Sequence, residues 1–168
     1  MTSRRKFLLG GTAIGVAVIG GGVLWWRQSG GAEAGSFEIT RTEAEWRDIL
    51  TPDEFAVLRE HATEKPNSSP LNEETRDGTF TCAGCGLDVY ASEAKFKSGT
   101  GWPSFYESLP DAVRTSPDRT LVVERTEVHC RRCGGHFGHI FDDGPEPTGK
   151  RHCLNGIALD FRPAAGAA

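Results

Sequence analysis

No repeat period runs through the 168 residues, and neither a heptad nor a Gly-x-y pattern is present, so solenoids, coiled coils and collagen-like fibres are excluded. The chain is also too short for two ordinary domains, which leaves one folded unit with a core of its own and a short appendage. Positive charge is scarce. The formal net charge is −4, and because residues 1–34 hold Arg4, Arg5, Lys6 and Arg27 against Glu33, the remainder carries −7. An acidic domain is a poor partner for nucleic acid. Hydrophobic (38%) and charged (25%) fractions are ordinary for a globular protein, while 21 glycines and 9 prolines point to a turn-rich, mainly β fold.

The first 34 residues have the layout of an address. Arg4-Arg5 stands directly before Phe7–Trp26, a stretch without a charged residue, in the order of a signal peptide. Arg4-Arg5-Lys6-Phe7-Leu8 resembles a twin-arginine export signal, and Ala32-Glu33-Ala34 offers small residues for cleavage ahead of Gly35. Six glycines dilute the stretch below a typical spanning helix, although its length suffices to cross a bilayer, so an uncleaved anchor or an ordinary transmembrane helix are the alternatives. The expected location is the periplasm or the outer face of the cytoplasmic membrane, with membrane contact only through this segment. Residues 35–45 read as a linker, 46–162 as the folded domain and 163–168, small residues after a proline, as a disordered tail.

Thr42 with Glu45, and Thr51-Pro52-Asp53-Glu54, both fit the capping box, and Pro52 suits a first helical position, so two short helices open the domain. Phe55 and Leu58, three apart, share a buried face, and Lys65–Pro70 ends the helical part. Beyond it the pattern is β. Thr79–Thr81, Val89-Tyr90, Leu121–Val123, Thr126–Val128 and Ile157–Phe161 are short runs rich in β-branched and aromatic residues between turn residues.

Cys82-Ala83-Gly84-Cys85 and Cys130-Arg131-Arg132-Cys133 are two Cys-x-x-Cys knuckles. Each turn aims two thiolates at one point, and two such turns close a tetrahedral four-sulfur shell, a structural zinc site for one ion. Two alternatives compete: a pair of disulfides, and a site made of Cys130, Cys133, His136 and His139.

The fifth cysteine lies in Arg151-His152-Cys153-Leu154-Asn155. Strand alternation puts Arg151, Cys153 and Asn155 on one face, where a guanidinium favours negative charge on sulfur and an amide can hold a polar substrate atom. That is a nucleophile's neighbourhood, although free cysteine is also among the most buried residue types. His136 and His139 are tethered to the second knuckle and supply proton donors near neutral pH. Ser98–Phe105 is a glycine-flanked turn presenting Trp102, either for the core or as the wall of a pocket for a methylthio group.

Leu50-Thr51-Pro52, Cys82–Cys85, Ser98–Phe105, Arg125–Val128, Gly138–Pro145, Pro147–Gly149 and Arg151–Asn155, in this order from about Trp46 to Arg162, resemble the type B methionine sulfoxide reductases. The resemblance implies a β-tent of two antiparallel sheets, stapled by a zinc ribbon, with short N-terminal helices. It also implies reduction of the R epimer of methionine sulfoxide in oxidised peptides and proteins. On this basis Cys153 is the nucleophile, Arg151 and Asn155 flank it, and His136 and His139 polarise and protonate the sulfoxide oxygen. Trp102 packs on the substrate methyl group, and Phe141 is taken as part of the same substrate site.

Many relatives carry a resolving cysteine where this chain has Thr100. With the other four cysteines on zinc, an oxidised Cys153 needs an external thiol, thioredoxin- or glutaredoxin-like or small. Gly135 and Gly156 stand where serine is common, which is expected to loosen the site. The expected enzyme is a monomer that repairs exported proteins. The contrasting classes are a zinc-ribbon binding module without catalysis, in which Cys153 is dispensable, and a thiol enzyme for another substrate.

Overall fold

The computed structural model describes residues 37–166. The arginine pair, the apolar stretch and the cleavage motif lie outside the described residues, as do the last two residues of the tail. Among the described residues, no helix is long and apolar enough to cross a membrane.

Helix α1 (Glu43–Ile49) starts at Thr42 and α2 (Pro52–Glu60) at Thr51, each with both halves of a capping box formed. The reciprocal bonds satisfy two otherwise orphaned N–H groups, which makes such short helices viable. Phe55 and Leu58 of α2 are buried as the spacing predicts. The segment expected as a linker joins the packed unit from Phe37 onward: the Ile39 N–H donates to the Arg132 carbonyl at 2.9 Å, and the Phe37 ring meets His129 edge-on.

Nine strands follow among the described residues: β1 (Gly78–Cys82), β2 (Asp88–Ala91), β3 (Lys95–Phe96), β4 (Ser104–Phe105), β5 (Val113–Asp118), β6 (Arg125–Cys130), β7 (His136–Phe141), β8 (Arg151–Leu154) and β9 (Leu159–Pro163). They make two antiparallel sheets, ordered β2-β1-β9 and β3-β4-β8-β7-β6-β5. Between them Phe80 and Tyr90 of the smaller sheet pack on Phe105 of the larger, with centroids 4.9 and 4.6 Å apart. These rings are buried, as are Phe137 and Leu154, and contacts of this size dominate a core's energetics.

Three local expectations are corrected. Leu121–Val123 is not a strand but the exposed tip of the β5–β6 connection, with Val122 fully exposed. Its β-branched residues find no strand beside them, because Asp118 accepts from the Thr120 N–H and hydroxyl and turns the chain there. The strand that pairs with β6 is instead Val113–Asp118, whose Pro117 is tolerated because β5 is an edge. Residues 156–158 form a 3₁₀ turn ahead of β9. At the tail, Pro163 still pairs with Gly78 and the Ala164 N–H donates to Asp77, so backbone pairing continues past the point where composition alone suggests an end.

Candidate active site and four-cysteine cluster

One lateral row crosses five strands of the larger sheet: Ser104, Cys153, His139, Glu127 and Ser116 are successive cross-strand partners. Paired residues in antiparallel strands share a face, so this row carries Cys153 and His139 side by side. A register irregularity at Val128/His129 sets His136 opposite His129 and Gly138 opposite Val128, leaving Phe137 as the extra residue of a bulge. Two histidines three apart on a regular strand would face opposite ways; the bulge returns His136 to the face of His139, with ring centroids 5.5 Å apart.

A pocket of about 160 Å³ opens on this face, lined by Thr63, Trp102, Arg125, His139, Phe141, Cys153 and Asn155, among others. Trp102 and Phe141 form its apolar walls and Cys153, half-buried, reaches its floor. Gly138 must be glycine, because a Cβ there would collide with the carbonyl oxygen of Cys153. His136 does not line the pocket. It is buried one step behind His139, with Nδ1 donating to Glu127 Oε1 at 2.8 Å.

Side chains in and beside the pocket are held by partners, and Arg151 stands beside it rather than in its lining. Arg151 makes a two-point ion pair with Asp143, at 2.8 and 2.9 Å, and its guanidinium lies 4.5 Å over the Phe141 ring. That pair and the neighbouring Cys153 sulfur raise the Arg151 pKa against the opposing effect of burial. His139 Nε2 meets Asp118 Oδ2 at 2.7 Å. Burial lowers the His139 pKa, Asp118 opposes, and Arg125 and His136 lower it further. Below its ordinary value the ring is neutral at pH 7, with the proton on Nε2 facing the carboxylate and the Nδ1 lone pair free. Hydrogen bonds from Thr120 and His139 and the Arg125 ion pair hold Asp118 well below the usual carboxylate range.

Asn155 is buried with both ends of its amide engaged: Nδ2 donates to Phe137 at 2.9 Å and Oδ1 accepts from the Glu64 N–H at 3.0 Å. One amide hydrogen remains for a ligand, less than the sequence suggests. His152 faces away from the pocket, 3.0 Å from the Tyr90 hydroxyl in the core. Neither glycine departure loosens the structure, since a Cβ at Gly156 would strike Ser69 and one at Gly135 would crowd Leu58.

Glu64, Asp118, Glu127 and His61 were not singled out from the sequence. Glu64 ties the pocket together: its carbonyl accepts from Trp102 Nε1 at 3.2 Å, its N–H serves Asn155, and its carboxylate accepts from the Gly156 and Ile157 N–H groups. Alternation from Arg125 through Glu127 to His129 could have signalled Glu127; nothing local marks Asp118 or Glu64.

The four knuckle cysteines converge. Cys82 and Cys133 sulfurs are 3.7 Å apart, Cys85 and Cys130 3.5 Å, and all four lie within 4.8 Å of one another. A tetrahedron with metal–sulfur bonds of about 2.3 Å has edges of about 3.8 Å, so the cluster fits one zinc-sized ion. The separations exceed the 2.05 Å of a disulfide, and all four are free thiols, which leaves the two-disulfide alternative without support. The mixed site fails as well, because His136 and His139 turn to Glu127 and Asp118. In each knuckle a glycine after the second cysteine, Gly86 or Gly134, has φ near +70° and donates its N–H to the first cysteine's carbonyl.

Residues 50–163 match the SelR domain. The peptide methionine sulfoxide reductase MsrB of Methanosarcina barkeri (strain Fusaro / DSM 804) is 47% identical over 125 residues, 74% of this chain and 88% of that protein. The protein of the same name from Leifsonia xyli subsp. xyli is 48% identical over 134 residues, 79% of this chain and 96% of that one. A chloroplastic relative from Arabidopsis thaliana, peptide methionine sulfoxide reductase B2, is 45% identical over 127 residues, covering 74% and 62% of the two chains. The chain belongs to the type B methionine sulfoxide reductases. Membership makes it an oxidoreductase, and the matched span covers both the pocket around Cys153 and the cysteine cluster.

Proposed function

We propose that the protein reduces the R epimer of methionine sulfoxide in peptides and proteins, with Cys153 as nucleophile. The observation that carries this is the placement of Cys153 between Ser104 and His139, at the floor of a pocket walled by Trp102 and Phe141. The apolar walls suit a methylthio group, and the polar edge formed by His139, Arg125 and Asn155 suits the sulfoxide oxygen.

His139, neutral and oriented by Asp118, takes the thiol proton of Cys153 on Nδ1, and the imidazolium so formed is stabilised by the Asp118 carboxylate. The Cys153 sulfur attacks the sulfoxide sulfur while His139 returns the proton to the oxygen. Overall the oxygen passes to Cys153 and two electrons to the substrate, giving a cysteine sulfenic acid and methionine. His136, fixed by Glu127, acts behind His139 and through ordered water. Arg151 balances the negative charge on sulfur, and Asn155 offers its remaining amide hydrogen to substrate.

An external thiol reduces the sulfenic acid, because Thr100 occupies the place from which a second thiol would reach it. The four knuckle cysteines would hold one zinc ion, whose role there would be structural. The Arg4-Arg5 motif supports export by the twin-arginine route, so the substrates are oxidised proteins outside the cytoplasm.

The test is Cys153→Ser. It should abolish reduction of the R epimer while metal content and thermal unfolding stay at wild-type values; substantial residual turnover refutes the assignment.

A further inference from the structure

A second cluster of ligand-type side chains stands on the same sheet face, outside the pocket and apart from the four cysteines. Its centre is Glu127, approached by three imidazole nitrogens. His136 Nδ1 lies 2.8 Å and His61 Nδ1 3.3 Å from Oε1, and His129 Nδ1 lies 3.6 Å from Oε2. Ser116 donates its hydroxyl to Oε2 at 2.5 Å. The ligand atoms of His61, Glu127 and His136 all fall within 4.8 Å of one another.

Three features separate this cluster from a merely hydrogen-bonded carboxylate. His61 is the C-cap of α2 with φ +58°, a common way for a helix to end, and it carries the imidazole over His136, at 4.6 Å between ring centroids. Its 3.3 Å approach is long for an N–H···O bond but equals the ligand separation of about 3.3–3.4 Å in a tetrahedral site with bonds of about 2.0–2.1 Å. The accessibility is graded: the His61 side chain is 60% exposed, while Glu127 and His136 are 12% and 2% exposed, which gives a buried anchor and an open door.

We propose that His61, Glu127 and His136 form a second site for a divalent transition-metal cation of the zinc class, with His129 beside it as a further nitrogen donor. Two imidazoles and one carboxylate are a common ligand set for such ions. The protonation states agree. Burial pushes Glu127 up, but the nearby His129 imidazole and the hydrogen bonds from His136 and Ser116 outweigh it and keep the carboxylate charged. Burial, with His136 adding, lowers His61, so its ring is neutral and able to ligate at pH 7. On loading, the His136 proton moves from Nδ1 to Nε2 and the His136–Glu127 gap opens by about half an ångström to the ligand separation. The cation would then fix a ring 5.5 Å from His139, so slower turnover on loading is a secondary expectation; binding itself does not depend on the reductase reading.

The experiment uses the full chain with its cysteine cluster filled with zinc and Cys153→Ser, which removes the thiol outside that cluster. Titration with Co²⁺, followed by absorption and equilibrium dialysis, should show one further equivalent bound, with visible d–d bands and no sulfur-to-cobalt charge-transfer band. His61→Asn, which keeps a residue that tolerates the left-handed conformation, should weaken binding at least tenfold without altering the thermal transition. Glu127→Gln should weaken binding likewise, judged under conditions where its thermal transition shows the variant folded. No saturable binding would overturn the proposal, as would charge-transfer bands placing the cobalt on cysteines, or binding unchanged in both variants.

Discussion

Thr100 holds its hydroxyl oxygen 3.8 Å from the Cys153 sulfur, and Ser98 fixes that hydroxyl from behind at 2.8 Å. The remaining thiols are gathered at the other site, within 4.8 Å of one another. One equivalent of methionine sulfoxide without reductant should therefore leave Cys153 as a sulfenic acid that a dimedone-type probe labels. Thr100→Cys should convert that product to an internal disulfide, since a side-chain atom at this position already approaches the sulfur. Mass spectrometry after one turnover reads both. A disulfide from Cys153 to a knuckle cysteine in the wild type, with loss of metal, would sink this account of recycling.

The Asp118–His139 contact sets a pH dependence whose sign can be worked out. The His139 pKa lies below 6.5, with burial the largest cause, and the proposed mechanism needs the base form in free enzyme. Activity should therefore be full above pH 6.5 and fall as pH drops through the lower, folded-state value. Asp118 opposes the shift, so Asp118→Asn should move the acid limb of kcat/KM to still lower pH while reducing kcat, because the ring loses its orienting partner. A limb that moves upward, or kcat that is unchanged, would contradict the role given to Asp118.

Removing a sulfur from the cluster should unfasten two sheets. Cys82 ends β1 of the smaller sheet and Cys130 ends β6 of the larger, so an ion held by the cluster would tie the two sheets together. Cys82→Ser or Cys130→Ser should lose the metal and lower the midpoint of thermal unfolding by 10 °C or more, with about 2–4 °C expected per kcal/mol for a chain of this size. Metal analysis beside a melting curve decides it; one equivalent retained at normal stability would rule out a four-cysteine site.

Legibility in the sequence followed the range of the forces involved. Both capping boxes and the two knuckles are short-range patterns, and the structure forms each as read; of Arg151, Cys153 and Asn155, the last two line the pocket and Arg151 does not. The β5 strand was missed because an exposed edge carrying Arg114, Ser116 and Pro117 shows no apolar alternation, while the apolar Leu121–Val123 mimicked a strand where only a hairpin tip exists. The shared face of His136 and His139 depends on a bulge that no local signal announces. Asp118 and Glu64 reach the pocket through pairing across 21 residues and bonding across 91, distances at which sequence spacing carries no register.

Glu64 and Trp102 give the last test. The Glu64 carboxylate, pushed up by burial but steadied by the Gly156 and Ile157 N–H groups, pins the loop whose carbonyl accepts from Trp102 and whose N–H serves Asn155. Trp102→Ala removes an apolar wall and should raise KM about tenfold with little change in kcat, a loss of about 1.4 kcal/mol of binding common to ground and transition states. Glu64→Ala strands two partly buried N–H groups, at about 1–3 kcal/mol each, and should lower both stability and kcat/KM. Because Glu64 is bonded to both Trp102 and Asn155, the double variant should lose less kcat/KM than the two single losses combined. Full additivity in that cycle would mean Glu64 supports the fold alone and does not position the pocket wall.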